Sequence, residues 1–300
     1  MANLRDIRRR IGSVGSTMQI TNAMKMVSTA KLNRAQNAAR ASQPYAAELR
    51  RMATSISSGL SGEDHPFFKQ PDGGVTAIVV FTSDRGLCGG FNNNLCKELM
   101  RQMRDQEAMP DPEVIPFGRK GADFFRRRGV PIGDGAVQIP LAEKQARIGE
   151  VVKRLVERFI GGEVGRVFVA YNQYKSAMTQ NPTVTPLLPI VPSQPEEAPD
   201  AGGNQTAGAD ARPADEREVL FEPSRHGVLE LLLPSYVENQ MFQALLNTEA
   251  GEHGARMVAM DGATRNAKDM ISSLTLQANK ARQAAITTEL IEIVAGAEAL

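Results

Sequence analysis

The residues best equipped for chemistry lie in one run, Thr82-Ser83-Asp84-Arg85-Gly86-Leu87-Cys88-Gly89-Gly90-Phe91-Asn92. It follows Val75-Thr76-Ala77-Ile78-Val79-Val80-Phe81, a continuous apolar, β-branched stretch that predicts a strand buried on both faces. A glycine-rich turn after such a strand is where an open α/β sheet places a mononucleotide. The Gly-Lys-Ser/Thr ending with which a Walker loop reaches phosphate and magnesium is missing, and so is the GxGxxG spacing. The favoured reading is structural: the glycines allow a tight turn and close packing, and Asp84 and Arg85 are left free to contact a partner. Cys88 would act as a nucleophile only with a histidine in reach, and His65, His226 and His253 fall in linkers or helix starts. Glu196-Glu197 and Asp215-Glu216 lie in or beside a Pro/Gly/Ala-rich tract, which gives paired-carboxylate catalysis no support. No catalytic, cofactor-binding or metal-binding residue is assigned.

Composition narrows the field further. The chain has 300 residues, enough for one large domain or two modest ones. Its 35 Lys and Arg nearly cancel its 34 Asp and Glu, so it is no general polyanion binder, although the N-terminal region is basic. No aromatic residues interleave with those basic side chains, which weakens a single-stranded nucleic-acid reading. Tryptophan is absent, which argues against a large aromatic ligand pocket. Cys88 and Cys96 form no CxxC, so a zinc site or disulfide scaffold is not expected, and two unpaired cysteines fit a reducing compartment. No apolar run approaches the roughly 20 residues that span a bilayer. Met1-Ala2-Asn3-Leu4-Arg5 has no hydrophobic signal region.

Two long helices frame the chain. Leu4 to about Ser58 is interrupted by one proline, Pro44, and carries Ile7, Ile11, Val14 and Met18 at alternating three/four steps. Ile20, Met24 and Val27 follow after a shift in phase, which would alter the supercoil locally. From Glu252 to Leu300 the run Met260, Ala263, Ala267, Met270, Leu274, Ala278, Ala281, Ala285 makes a seam of mostly small side chains. Beyond it Ile286, Leu290, Ile293, Val294, Ala297 and Leu300 form a tip too apolar for water. The two helices pair most simply antiparallel, each on the order of 75–90 Å long, which exceeds a compact domain of about 30 Å and predicts a protruding stalk. Two ordinary helices of a bundle are the alternative.

Between them the pattern predicts helices at Asn93–Gln106, Lys120–Arg127 and Glu143–Ile160. Strands are predicted at Glu113–Phe117 and Val167–Tyr171, with an extended edge piece at Thr183–Ile190. The fold class is α/β: a long antiparallel coiled coil of the terminal helices plus a central Rossmann-like open α/β domain. The expected divisions are 1–60 for the first helix, 70–192 for the α/β domain and 193–217 for a disordered insertion without apolar periodicity. Residues 218–300 would supply a last strand and the C-terminal helix, which Pro234 and Gly251 or Gly254 would bend or restart.

Three segments then resemble a known family, the gamma subunits of F-type ATP synthases. They are Leu4-Arg5-Asp6-Ile7-Arg8-Arg9-Arg10-Ile11 with Ile20-Thr21-Asn22-Ala23-Met24-Lys25-Met26-Val27, then Ser83 to Gly90, then Asn279-Lys280-Ala281-Arg282-Gln283-Ala284-Ala285-Ile286-Thr287-Thr288-Glu289-Leu290 through Ala297. The resemblance runs from end to end, departs at 193–215, and lacks the regulatory cysteine pair of chloroplast forms. It implies a shaft turning inside a ring of three alpha and three beta subunits, joined to epsilon and driven by a c-ring, with the catalytic residues on beta. It also implies a peripheral location on the cytoplasmic face of a bacterial plasma membrane. By resemblance, Arg256, Arg282, Gln283, Thr287 and Glu289 are polar catches against the ring. Asp84, Arg85, Gly86, Cys88, Gly89 and Gly90 match a second catch, Met24 faces a beta-subunit loop, and Glu222 lies near the c-ring. A lysine at Met24 would add an unwanted charge, so Met24→Lys is expected to impair coupling more than folding; equal ATP synthesis by mutant and wild-type membranes would refute it. The competing classes are a nucleotide-dependent α/β enzyme, revealed by micromolar ATP or NADH binding, and a stand-alone coiled-coil adaptor.

Overall fold

A computed structural model describes residues 4–57, 66–69, 73–105, 107, 109–190 and 225–298. Helix α1 (Leu4–Ser57) opens the chain, followed by β1 (Val75–Phe81), α2 (Phe91–Gln102), β2 (Pro112–Phe117) and α3 (Arg119–Arg126). Then come α4 (Leu141–Ile160), β3 (Val164–Tyr174), β4 (Gln180–Leu188) and α5 (Arg225–Glu298). The 193–217 tract, the strand expected near 218–221 and Glu222 lie outside the described residues.

The sheet order is β2-β1-β3-β4, with β2, β1 and β3 parallel and β4 antiparallel on the edge. Central β1 is covered on both sides, as its unbroken apolar sequence requires: Ile78, Val79 and Val80 are fully buried. On one face Leu95 and Leu99 of α2 and Phe125 of α3 pack on Ile78 and Val80. On the other, Ile148, Val151 and Leu155 of α4 join Leu233, Val237 and Met241 of α5 against Val79 and Val169. Each such side chain contributes about 1.5–3 kcal/mol by leaving water. The extended piece expected from Thr183 is β4, and it starts earlier because Thr179 closes a tight hairpin turn onto Ser176.

Helices α1 and α5 form the predicted antiparallel pair, but the seam corrects two details. The phase shift near Ile20 does not occur. After Met18 the buried positions are Thr21, Ser28 and Leu32, with Met24 and Lys25 half-buried between the first two, still at three/four steps, while Ile20 and Val27 are 60% and 56% exposed. Small polar residues hold the seam because each finds a partner there. Thr21 Oγ1 lies 2.7 Å from Thr264 Oγ1, and Lys25 Nζ donates to Asp261 Oδ1 at 2.6 Å. Ser28 Oγ returns to the Met24 carbonyl at 2.8 Å. On α5 the half-buried Ile271, not the exposed Met270, continues the series from Ala267 to Leu274.

Helix α5 runs unbroken through Pro234, Gly251 and Gly254, so the expected restart is absent. Its 74 residues span about 110 Å, longer than the sequence suggested. The pairs Ser42–Gln243 and Thr21–Thr264 lie on one constant register, which sets Leu4 opposite about Ala281. Arg282–Glu298 therefore continues beyond the described start of α1 as a single helix of roughly 25 Å.

Candidate functional site

The segment leaving β1 caps α3. The first four backbone N–H groups of a helix have no partner within it, and here the acceptors for three of them come from the same strip. Arg119 N donates to Asp84 Oδ1 at 2.9 Å, Lys120 N to the Ser83 carbonyl at 3.1 Å and Gly121 N to Thr82 Oγ1 at 2.9 Å. Gly118, at φ 125°, lets the two strands of chain touch, since a Cβ there would collide with the Thr82 carbonyl. Gly118→Ala is thus expected to cost about 3 kcal/mol in chemical denaturation, through strain and loss of this cap.

Asp84 gathers more than one donor. Oδ1 also accepts from Gln138 N at 3.0 Å, and Oδ2 from Lys144 Nζ at 2.7 Å. Burial pushes its carboxyl up, but Lys144 and the N–H groups of Gln138 and Arg119 outweigh that and hold it below its ordinary value. Stability from this group is present above the unfolded value of about 4 and is lost as pH falls through the lower folded one. Asp84 is not the free, partner-contacting group expected from the sequence: its carboxylate is taken up by Arg119, Gln138 and Lys144. An anion arriving at the α3 N-terminus would find Asp84 already there.

Farther along, Ser83 N donates to Asn92 Oδ1 at 2.9 Å and Asn92 Nδ2 to Ser83 Oγ at 2.7 Å. The Cys88 side chain turns inward beside them, 3.3 Å from Asn92 Nδ2, and is buried. The outward-facing position expected for Cys88 is not where this structure puts its side chain. Burial pushes the Cys88 thiol up and lifts Cys96 to about 12, so both stay protonated at neutral pH. What the loop does present is Arg85 and Leu87, the latter 62% exposed at φ 65°. A leucine held in that left-handed region, pointing at water, is strain without a folding reward.

Arg256 ties this loop to the shaft. Its Nε and Nη2 donate to the Gly86 carbonyl, each at 3.3 Å, and Nη2 also to Glu252 Oε1 at 2.6 Å. His253 and Glu249 complete the cluster. Arg256 is buried, so its guanidinium works inside the chain instead of standing free as a catch. Nearby, Gly251 lies against the Phe91 ring and Gly254 against Tyr174, so α5 passes the C-terminal ends of β1 and β3. The crevice where such sheets bind nucleotides is filled by the shaft.

The remaining candidates are scattered along the coil. Met24 is half-buried at the flank of the α1 seam. Arg282, Gln283, Thr287 and Glu289 are all exposed on the single-helix end, among Ile286, Leu290, Ile293 and Val294. Gly89, at φ 59°, and Gly90 are exposed in the loop. Thus the structure joins Arg256 to the loop and leaves the other four C-terminal residues far along α5. Lys144 and Leu87 were missed: Lys144 sits in an ordinary amphipathic helix, and nothing local marks it. The Glu252/Arg256 pair did leave a signal, its i,i+4 spacing.

The shaft is longer than the domain it rises from, is tied to that domain by a braced loop, and carries exposed aliphatic side chains along its far stretch. A family model described as ATP synthase matches residues 3–300. The ATP synthase gamma chains of Desulforamulus reducens and Pelotomaculum thermopropionicum are 40% and 44% identical, over the full length of both chains in each case. In the solved rotational state 3 of the Euglena gracilis mitochondrial ATP synthase (OSCP/F1/c-ring), one chain superposes with a TM-score of 0.62 at 19% identity, covering 99% of this chain and 94% of that one. This chain belongs to the ATP synthase gamma-chain family.

Proposed function

We propose that this chain is the rotor of the central stalk, turning within a ring of alpha and beta subunits and joined below to epsilon and a c-ring. The observation that carries this reading is the end of α5, where Ile286, Leu290 and Ile293 are 50%, 57% and 68% exposed on a stretch with no companion helix among the described residues. Such a surface fits an apolar sleeve, in which contacts are non-directional and one angle costs little more than another. Arg85 and Leu87, with the exposed polar residues Arg282, Gln283, Thr287 and Glu289, supply the angle-dependent contacts. Catalysis belongs to the surrounding subunits, and the shaft's asymmetry sets their conformations in turn. No described helix is long and apolar enough to cross a membrane. The rotor would sit at the cytoplasmic face of a bacterial plasma membrane, held there through the complex.

Reconstitution tests the reading. The chain, mixed with alpha and beta subunits from the same source, should assemble as one copy per three of each and support ATP-driven rotation of a bead attached near β4. Failure to assemble, or micromolar ATP binding by the chain alone, would sink it.

A further inference from the structure

We infer that Lys144 is a positioning residue: through Asp84 it sets the attitude in which the Arg85–Gly90 loop is offered to the subunits around the shaft. The inference rests on the rotor reading and adds to it a residue that touches none of those subunits. Among the described residues the buried cations are Lys144 and Arg256. Both act on the same loop, two residues apart. Lys144 holds the Asp84 carboxylate at 2.7 Å, and Arg256 holds the Gly86 carbonyl at 3.3 Å. Arg85 stands between the two grips and points into solvent, with Leu87 just past the second.

Burying an ammonium is unfavourable unless it is paired and its partner is well hydrogen-bonded. Here the division of labour on Asp84 is sharp. Oδ1 takes the two backbone N–H groups, from Arg119 and Gln138, and Oδ2 takes only Lys144. The first oxygen joins the start of α3 to the approach to α4, while the second ties that junction to α4 itself. With Lys144 gone, the Oδ2 charge would be left in a half-buried site, and the carboxylate would turn toward water. Arg85 and Gly86 would turn with it, away from the Arg256 grip.

The two oxygens make the idea separable from simple packing. In Lys144→Met the backbone junction keeps its acceptor but the charge is unpaired. In the double variant Asp84→Asn/Lys144→Met, the amide oxygen still accepts both N–H groups and no ion is stranded. Amide exchange in the free chain, read by mass spectrometry, should quicken at least tenfold across 85–90 in Lys144→Met and return to within threefold of wild type in the double variant. Exchange in β1 and in the middle of α4 should not move. Asp84→Asn alone, which alters little volume, should also loosen the loop, and it serves if Lys144→Met does not fold. In the assembled complex, protons pumped per ATP hydrolysed should fall in each single variant and recover in the double.

Unchanged loop exchange in the single variants, or equally fast exchange in single and double, would overturn the inference. So would a loosened loop with coupling intact, because the ring would then not be reading the loop's attitude. Wild-type chain that fails to assemble would instead remove the rotor reading, while the exchange result in the free chain would stand by itself.

Discussion

Arg256→Met is expected to destabilise the folded chain by about 3 kcal/mol at neutral pH, the usual scale for removing one member of a buried ion pair. The loss has two parts. The Gly86 carbonyl forfeits its donor, freeing the loop from the shaft, and Glu252 keeps its burial without its cation. Burial pushes the Glu252 carboxyl up, and Arg256 draws it only part of the way back. A carboxyl whose folded pKa is raised favours the fold below its unfolded pKa and loses that contribution as pH rises through the folded value. Without the guanidinium the folded value climbs further. The deficit relative to wild type should therefore be larger at about pH 8 than at about pH 5, because acid neutralises the stranded Glu252 carboxyl. Urea denaturation at the two pH values measures it; a deficit independent of pH would assign the whole effect to the Gly86 contact.

A second large effect is expected from the tip, and it should be invisible in the isolated chain. Ile286→Asp, Leu290→Asp and Ile293→Asp combined replace side chains that are already half or more exposed, so melting of the free protein should shift little. Inside the complex the same carboxylates would have to enter an apolar sleeve. Burying even one unpaired charge is costly enough that the group protonates or the structure yields. ATP synthesis by reconstituted vesicles should fall at least about tenfold, the equivalent of 1.4 kcal/mol or more at the limiting step. Full activity would show that the tip turns in water, and the rotor reading would lose its main support.

These expectations draw on features that differed in how far the sequence revealed them. The strand β1 was readable because burial on both faces demands an unbroken apolar run, and Val75–Phe81 is one. The coil was readable in outline, yet its middle was misread, because Thr21 and Ser28 are seam residues that look like surface residues. A hydroxyl can satisfy itself on its own helix and pass as apolar, which no hydropathy pattern records. Ile20 and Val27 misled in the opposite sense. They are aliphatic and exposed, and under the rotor reading their cover would come from other chains. At the site, the loop was found from its glycines, but its attachments were not. Asp84 meets Lys144 and Gln138 only after four segments converge, and contacts between residues sixty apart leave no spacing to detect. Arg256 was expected by resemblance to stand outward, but it is buried, and that burial depends on where the Gly86 carbonyl ends up.

The place where α5 loses its companion also has a mechanical meaning. Two strands wound together resist twisting better than one, because turning either requires shearing the bonds between them, such as Lys25 to Asp261. Past Ala281, among the described residues, only the internal ladder of one helix opposes torsion. Under a steady turning moment the wind-up should collect in that thinner stretch, so that this end lags the collar by some angle and springs forward when released.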